Sequence, residues 1–107
     1  MRRNQTPSKE LLDSILDYNP TTGLLVWKQR DISFFKSQRD CSIWNTRYAN
    51  KQAFSYTRAN GNMTGTIFGE KFLAHRIIWK LVTGVEADVV DHINGVASDN
   101  RLSNLQS

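Results

Sequence analysis

A single cysteine, Cys41, among 107 residues leaves no intrachain disulfide framework and suits a reducing compartment. With no second thiol and no histidine beside it, Cys41 is assigned no chemistry. The two histidines and that cysteine lie far apart and match no usual zinc spacing. No apolar run approaches the length that spans a bilayer, and Met1-Arg2-Arg3-Asn4-Gln5 lacks the apolar core of a signal peptide. There is no Gly-rich phosphate loop, no Ser-His-Asp signature and no internal repeat. Secreted disulfide scaffolds, membrane spans, P-loop enzymes and triad hydrolases are thereby set aside.

What is present is globular in character: 39% hydrophobic residues and 10% aromatics suffice for one modest core. The net charge of +4 is unevenly spread. Lys28, Arg30, Lys36, Arg39, Arg47 and Lys51 outnumber Asp31 and Asp40 over residues 28–51. Residues 52–85 are again basic, through Arg58, Lys71, Arg76 and Lys80 against Glu70. From residue 86 the sign reverses, with Glu86, Asp88, Asp91 and Asp99 against Arg101. A basic body ending in an acidic segment suits a nucleic-acid binder with a cation-attracting end, although a pI near 9.5 alone is also met among solvated proteins with no such partner.

Thr6 as N-cap and Pro7 at the first helical position predict a first helix, with Leu11, Leu12, Ile15 and Leu16 as its apolar stripe. Asn19-Pro20-Thr21-Thr22-Gly23 predicts the turn that ends it, and Leu24 to Trp27 a strand. A second helix is expected from Ser37 to Tyr48, with Cys41, Trp44 and Tyr48 on one face and cations around it. Ala53 to Thr57 and Met63 to Phe68 predict a hairpin around Asn60-Gly61, extended by Lys71-Phe72-Leu73 into a three-stranded sheet. Ala74 to Val82 predicts a buried helix stopped by Thr83-Gly84. Within it, His75 is open between a metal or phosphate contact and a structural role, and Arg76 between a phosphate contact and a carboxylate of the acidic segment.

Val89-Val90-Asp91-His92-Ile93-Asn94-Gly95 carries the chemistry. Two β-branched residues deliver a carboxylate and an imidazole to a strand end, just before the strongest turn signal in the chain. Asp99-Asn100-Arg101-Leu102-Ser103-Asn104-Leu105 follows, with a second Asx-rich turn and two leucines to pack beneath the pair. A metal ligand beside a proton acceptor is what phosphodiester hydrolysis requires.

These residues resemble the HNH endonuclease motif of the phage and homing-endonuclease branch. The resemblance extends upstream through Ala74-His75-Arg76-Ile77-Ile78-Trp79 with Thr83-Gly84, through Trp44-Asn45-Thr46-Arg47-Tyr48-Ala49, and through Tyr18-Asn19-Pro20, Thr22-Gly23-Leu24 and Trp27-Lys28. The four blocks run in the family's order. The family usually has glycine where this chain has Asn50 and Phe54. Asn tolerates a left-handed φ, whereas Phe54 is not a like replacement. At fold level, a three-stranded sheet followed by a helix is also similar to plant-type AP2 DNA-binding modules.

The resemblance implies that His92 is the general base and Asp91 the ligand of a divalent metal, Mg²⁺ or Mn²⁺. It implies that Asn104 holds the loop carrying the base, and that the substrate is double-stranded DNA. Arg30, Lys36, Arg39, Arg47, Lys51, Arg58 and Arg76 are the expected nucleic-acid contacts. In the family a further Asn or His, on a helix two to three turns beyond the middle Asn, completes the metal site. The sequence ends at Ser107, so an incomplete ββα-metal (His-Me finger) motif is expected. The expected fold is α+β, a small antiparallel sheet with flanking helices, divided at 1–52 and 53–107 within one unit. A cytoplasmic site in the host cell is expected for a phage-encoded chain. Three functions stay open: a metal-dependent endonuclease, a catalytically inactive DNA-binding module, and a phage-encoded inhibitor that binds a host protein.

Overall fold

The first helix starts two residues later than its expected cap suggests and stops one residue short of the last position of its apolar stripe. In the computed structural model, which describes residues 5–107, α1 runs over Lys9–Ile15 and its N-cap is Ser8, whose Oγ accepts the Leu11 N–H at 3.2 Å. Thr6 is not the cap; its backbone N–H and its hydroxyl both donate to Glu86 Oε1, at 2.8 and 2.7 Å. Residues Met1 to Asn4, the start of the stretch read for a signal peptide, lie outside the described residues.

Leu16 leaves the helix and starts a strand. β1 (Leu16–Asn19) pairs antiparallel with β2 (Leu24–Trp27), and β3 (Gln52–Ala53) joins the other edge of β2. Leu16 is buried whether the chain continues as helix or strand, so the helical spacing carried no information about where α1 stops. The β1–β2 turn is built as its residues suggest: Asn19 Oδ1 accepts the Thr21 N–H at 2.9 Å, and Gly23 takes φ +79°.

α2 (Gln38–Tyr48) starts where expected, with Ser37 Oγ accepting the Asp40 N–H at 3.1 Å. Of the face read as apolar, Cys41 is buried and Trp44 half-buried, but Tyr48 stands exposed.

The strand expected over Ala53 to Thr57 is broken in two. Ala53 belongs to the first sheet, whereas β4 (Tyr56–Thr57) pairs with β5 (Met63–Ile67), which pairs with β6 (Glu70–Leu73). The break is at Phe54, which takes φ +56° with its ring 4% exposed. A Cβ on Gly65 would lie 2.7–2.8 Å from that ring, so the bulky residue in the left-handed turn is accommodated by a missing side chain on the strand opposite.

α3 (Ala74–Thr83) follows β6 directly and ends at Gly84, φ +75°, whose N–H reaches Lys80 O at 2.8 Å. Ile77 and Ile78 of α3 pack with Leu12 and Ile15 of α1, and these four are the largest side chains sealed from solvent. The last pair, β7 (Asp91–His92) with β8 (Leu105–Gln106), makes a third small antiparallel sheet. The α+β class is as expected, but with three small sheets in place of one. The hydrophobic core draws on residues before and after position 52 alike, from Leu12 to Leu105.

Candidate active site

Val90 anchors the strand that carries the candidate pair. It is buried, while Val89 beside it is exposed, so only one of the two valines enters the core. Strand alternation then leaves the Asp91 side chain exposed and His92 half-buried. His92 faces Leu105 across the ladder and Asp91 faces Gln106. Leu105 is buried beneath the pair and Leu102 half-buried.

The loop after His92 is held from one residue. Asn104, 5% exposed, accepts the Asn94 N–H on Oδ1 at 2.9 Å. Its Nδ2 donates to Asn94 Oδ1 and to Asp99 O, both at 2.9 Å, and its carbonyl accepts the Ile93 N–H at 2.8 Å. Gly95, at φ +77°, closes the turn by donating its N–H to His92 O at 2.9 Å. Asn94 Nδ2 also reaches Asp99 Oδ2 at 2.9 Å. The Arg101 guanidinium binds Asp99 through Nε at 2.8 Å and a terminal nitrogen at 2.7 Å, and together with Asn94 it holds that carboxyl far below the usual carboxylate range, against the opposing effect of burial.

Asn100 and Tyr18, given no role in this site from sequence, join it, and so does His75. Asn100, 3% exposed, presents Oδ1 to His92 Nε2 at 2.8 Å. Its carbonyl in turn accepts the Tyr18 hydroxyl at 2.6 Å, from β1. Burial, with the negative charge of Asp99 adding to it, pushes the Tyr18 phenol up to about 12. His75, buried at the start of α3, sets its ring edge-on to His92 with centroids 4.7 Å apart. His75 therefore packs against the candidate base.

In the tautomer in which Nε2 donates to this amide oxygen, Nδ1 of His92 keeps the lone pair. Among the described residues no three His, Cys, Asp or Glu side chains come together as a group able to hold a metal ion. Asp91 offers one exposed carboxylate, a donor set that suits a hard cation only with water and substrate phosphate oxygens filling the remaining positions.

The expected nucleic-acid contacts do not share one environment. Lys36, Arg39, Arg47, Lys51 and Arg58 are exposed. Arg76 is turned to Glu86, with a 3.0 Å ion pair and a side chain 10% exposed, so the carboxylate partner is the one it takes. Arg30 is buried among aromatic rings and does not stand on the surface as its charge suggested.

Residues 72–107, from the end of the second sheet through α3 to the β7–β8 pair, match the family described as HNH endonuclease. The match covers about a third of the chain and contains Asp91, His92 and Asn104. No curated protein and no solved structure matches the chain. The C-terminal segment is thus similar to the HNH endonuclease family, a likeness that points towards a nuclease-type function.

Proposed function

We propose that the chain is an HNH-type endonuclease of phage or mobile-element origin that hydrolyses DNA phosphodiester bonds with a divalent metal. The observation that carries the reading is the orientation of His92, whose Nε2 is bound to Asn100 Oδ1 at 2.8 Å beside the exposed Asp91 carboxylate. A neutral imidazole fixed at one nitrogen offers the other as general base. His92 Nδ1 takes a proton from water, and the water oxygen bonds to phosphorus as the bond to the 3′-oxygen breaks. Asn104 and Asn100 keep the base oriented, the first through the loop and the second through the ring. Asp91 would hold Mg²⁺ or Mn²⁺, which when bound supplies charge stabilisation at the phosphate and the departing oxygen. Exposed Lys36, Arg39, Arg47, Lys51 and Arg58 neutralise backbone phosphates.

Supercoiled plasmid with Mg²⁺ or Mn²⁺ tests the reading. Nicking is expected, abolished by EDTA and lowered about 10²–10⁴-fold in His92→Ala, the usual worth of a general base. Absence of nicking together with EDTA-insensitive retention of DNA in a gel shift would replace this reading with that of a DNA-binding module.

A further inference from the structure

Arg30 is 8% exposed, yet among the described residues no carboxylate pairs with it and its Nε finds no hydrogen-bond acceptor. Its charge is tolerated through aromatic rings. The guanidinium carbon lies 3.9 Å from the Trp44 ring centroid, 5.0 Å from that of Phe68 and 5.1 Å from that of Trp27. Rings supply no acceptor of ordinary strength for the guanidinium donors, and Nε is buried without one. Burial accordingly lowers its pKa. The position is held deliberately: Asn45 on α2 accepts the Arg30 N–H on Oδ1 at 2.8 Å and donates Nδ2 to the Arg30 carbonyl at 3.0 Å.

The same rings wall a cavity of about 440 Å³ that Arg30 lines, together with Tyr48 and Thr66. This is within the size range of small-ligand sites. One wall is strained. Phe68 is the first residue of the two-residue β5–β6 turn and takes φ +47°, where Asn, Asp or Gly is favoured, and its ring stays 54% exposed, stacked on Phe34 at 5.7 Å. A bulky residue kept in the left-handed region without being buried points to use of its ring. Tyr48, which also lines the cavity, is exposed as well, and Arg47 lies beside it, 6.0 Å from its ring centroid.

We propose that this cavity takes one unpaired nucleotide of a DNA strand, its base stacked on the Tyr48 and Phe68 rings and its acceptor atoms on Arg30. A simple anion would use the guanidinium but not the rings. A closed duplex presents phosphates while its base faces are stacked away. An unpaired nucleotide brings a π-face and hydrogen-bond acceptors together, on a polyanion that suits the basic 28–51 segment. The inference rests on the DNA reading above and adds a second, separate contact to it.

The test titrates the 107-residue chain in EDTA with an eight-nucleotide oligothymidylate and with a blunt duplex, following tryptophan fluorescence, since Trp27 and Trp44 wall the cavity. The single strand is expected to quench this fluorescence. Phe68→Asn, which suits the turn better than the native residue, and Tyr48→Ala are each expected to lower the preference for single strand over duplex by roughly 5–100-fold, the worth of one stacked base. Arg30→Lys, which keeps charge but not the planar fork, is expected to lower it as well. Unaltered single-strand affinity in Phe68→Asn and Tyr48→Ala, alongside plasmid nicking by the parent chain, would overturn the cavity assignment alone. A parent chain that neither nicks plasmid nor binds either oligonucleotide would overturn both readings.

Discussion

Asn94 and Asn104 bind each other twice: the Asn94 N–H donates to Asn104 Oδ1, and Asn104 Nδ2 donates to Asn94 Oδ1, both at 2.9 Å. The turn that carries His92 is thereby closed by a side chain from the residue just before β8, and the same Nδ2 reaches Asp99 O at 2.9 Å. Asn104→Ala removes all three bonds and leaves the partly buried Asn94 N–H and Asp99 carbonyl without this partner. A loss of about 2–4 kcal/mol is expected in urea unfolding, together with loss of plasmid nicking. His92→Ala, by contrast, is expected to lose nicking while the Asn94–Asn104 bonds remain. A variant Asn104→Ala with the parent's unfolding midpoint would remove the loop-holding role.

Tyr18 links the first sheet to the candidate site, its hydroxyl on Asn100 O at 2.6 Å. The phenol titrates at about 12 in the folded chain against about 10 when unfolded, so the folded form holds its proton more tightly. The resulting stability is fully present below pH 10 and is lost as pH rises towards 12. Tyr18→Phe is expected to cost about 1 kcal/mol at neutral pH and to flatten this alkaline decline. Unfolding midpoints measured from pH 8 to 12 for both proteins check it; parallel curves would refute the coupling.

Gly23 brings the β1–β2 turn hard against the same loop. A Cβ there would lie 2.5 Å from Asn100 C and from Arg101 N, and Leu102 N donates to Pro20 O at 3.1 Å alongside. Backbone atoms cannot move aside as a flexible side chain would. Gly23→Ala is expected to lose roughly 2–4 kcal/mol, from left-handed strain and overpacking together. Gly69→Ala is the control, since φ is +85° there but a Cβ meets nothing within 4 Å. Only the strain remains in that variant, about 1–2 kcal/mol. Equal losses in the two variants would mean that the contact with Asn100 and Arg101 is not tight in solution.

Local chemistry was legible and distant partnerships were not. Ser37 announced α2 and Thr83-Gly84 closed α3, because caps are short-range hydrogen bonds written in adjacent residues. The end of α1 was misread because Leu16 is buried in either conformation. Phe54 departs from the family's glycine yet still takes the left-handed turn, because Gly65, on a strand paired elsewhere, gives its ring room. Nothing near Asn100 signals Tyr18, 82 residues away, or the approach to His92 that this contact supports. Arg30 was read from its charge alone; the rings that enclose it come from β2, α2 and the β5–β6 turn, which no local pattern joins. The strand end at Asp91-His92 and the turn at Asn94-Gly95 were legible because both are local.

Glu86 ties the N-terminus to α3 and sets how the chain responds to acid. Burial raises its pKa, but the Thr6 hydroxyl and N–H and the charges of Arg76 and Lys80 outweigh this, and the net shift is downward. A carboxyl that ionises more readily when folded contributes stability above its unfolded pKa of about 4.5, and that contribution is lost as pH falls through the lower folded value. Glu86→Gln keeps the shape but removes the charge, leaving Arg76, whose side chain is 10% exposed, without its 3.0 Å ion pair to Glu86. About 2 kcal/mol is expected to be lost at pH 7, a discounted share of what breaking a fully buried pair costs. The difference from the parent chain should shrink as pH falls below about 4.5 and disappear once it has passed the lower folded value. Thermal melts at pH 7 and pH 3 measure both quantities. A gap between the two proteins that stays constant across this range would mean that the Glu86 charge is not what holds Thr6 and Arg76 together.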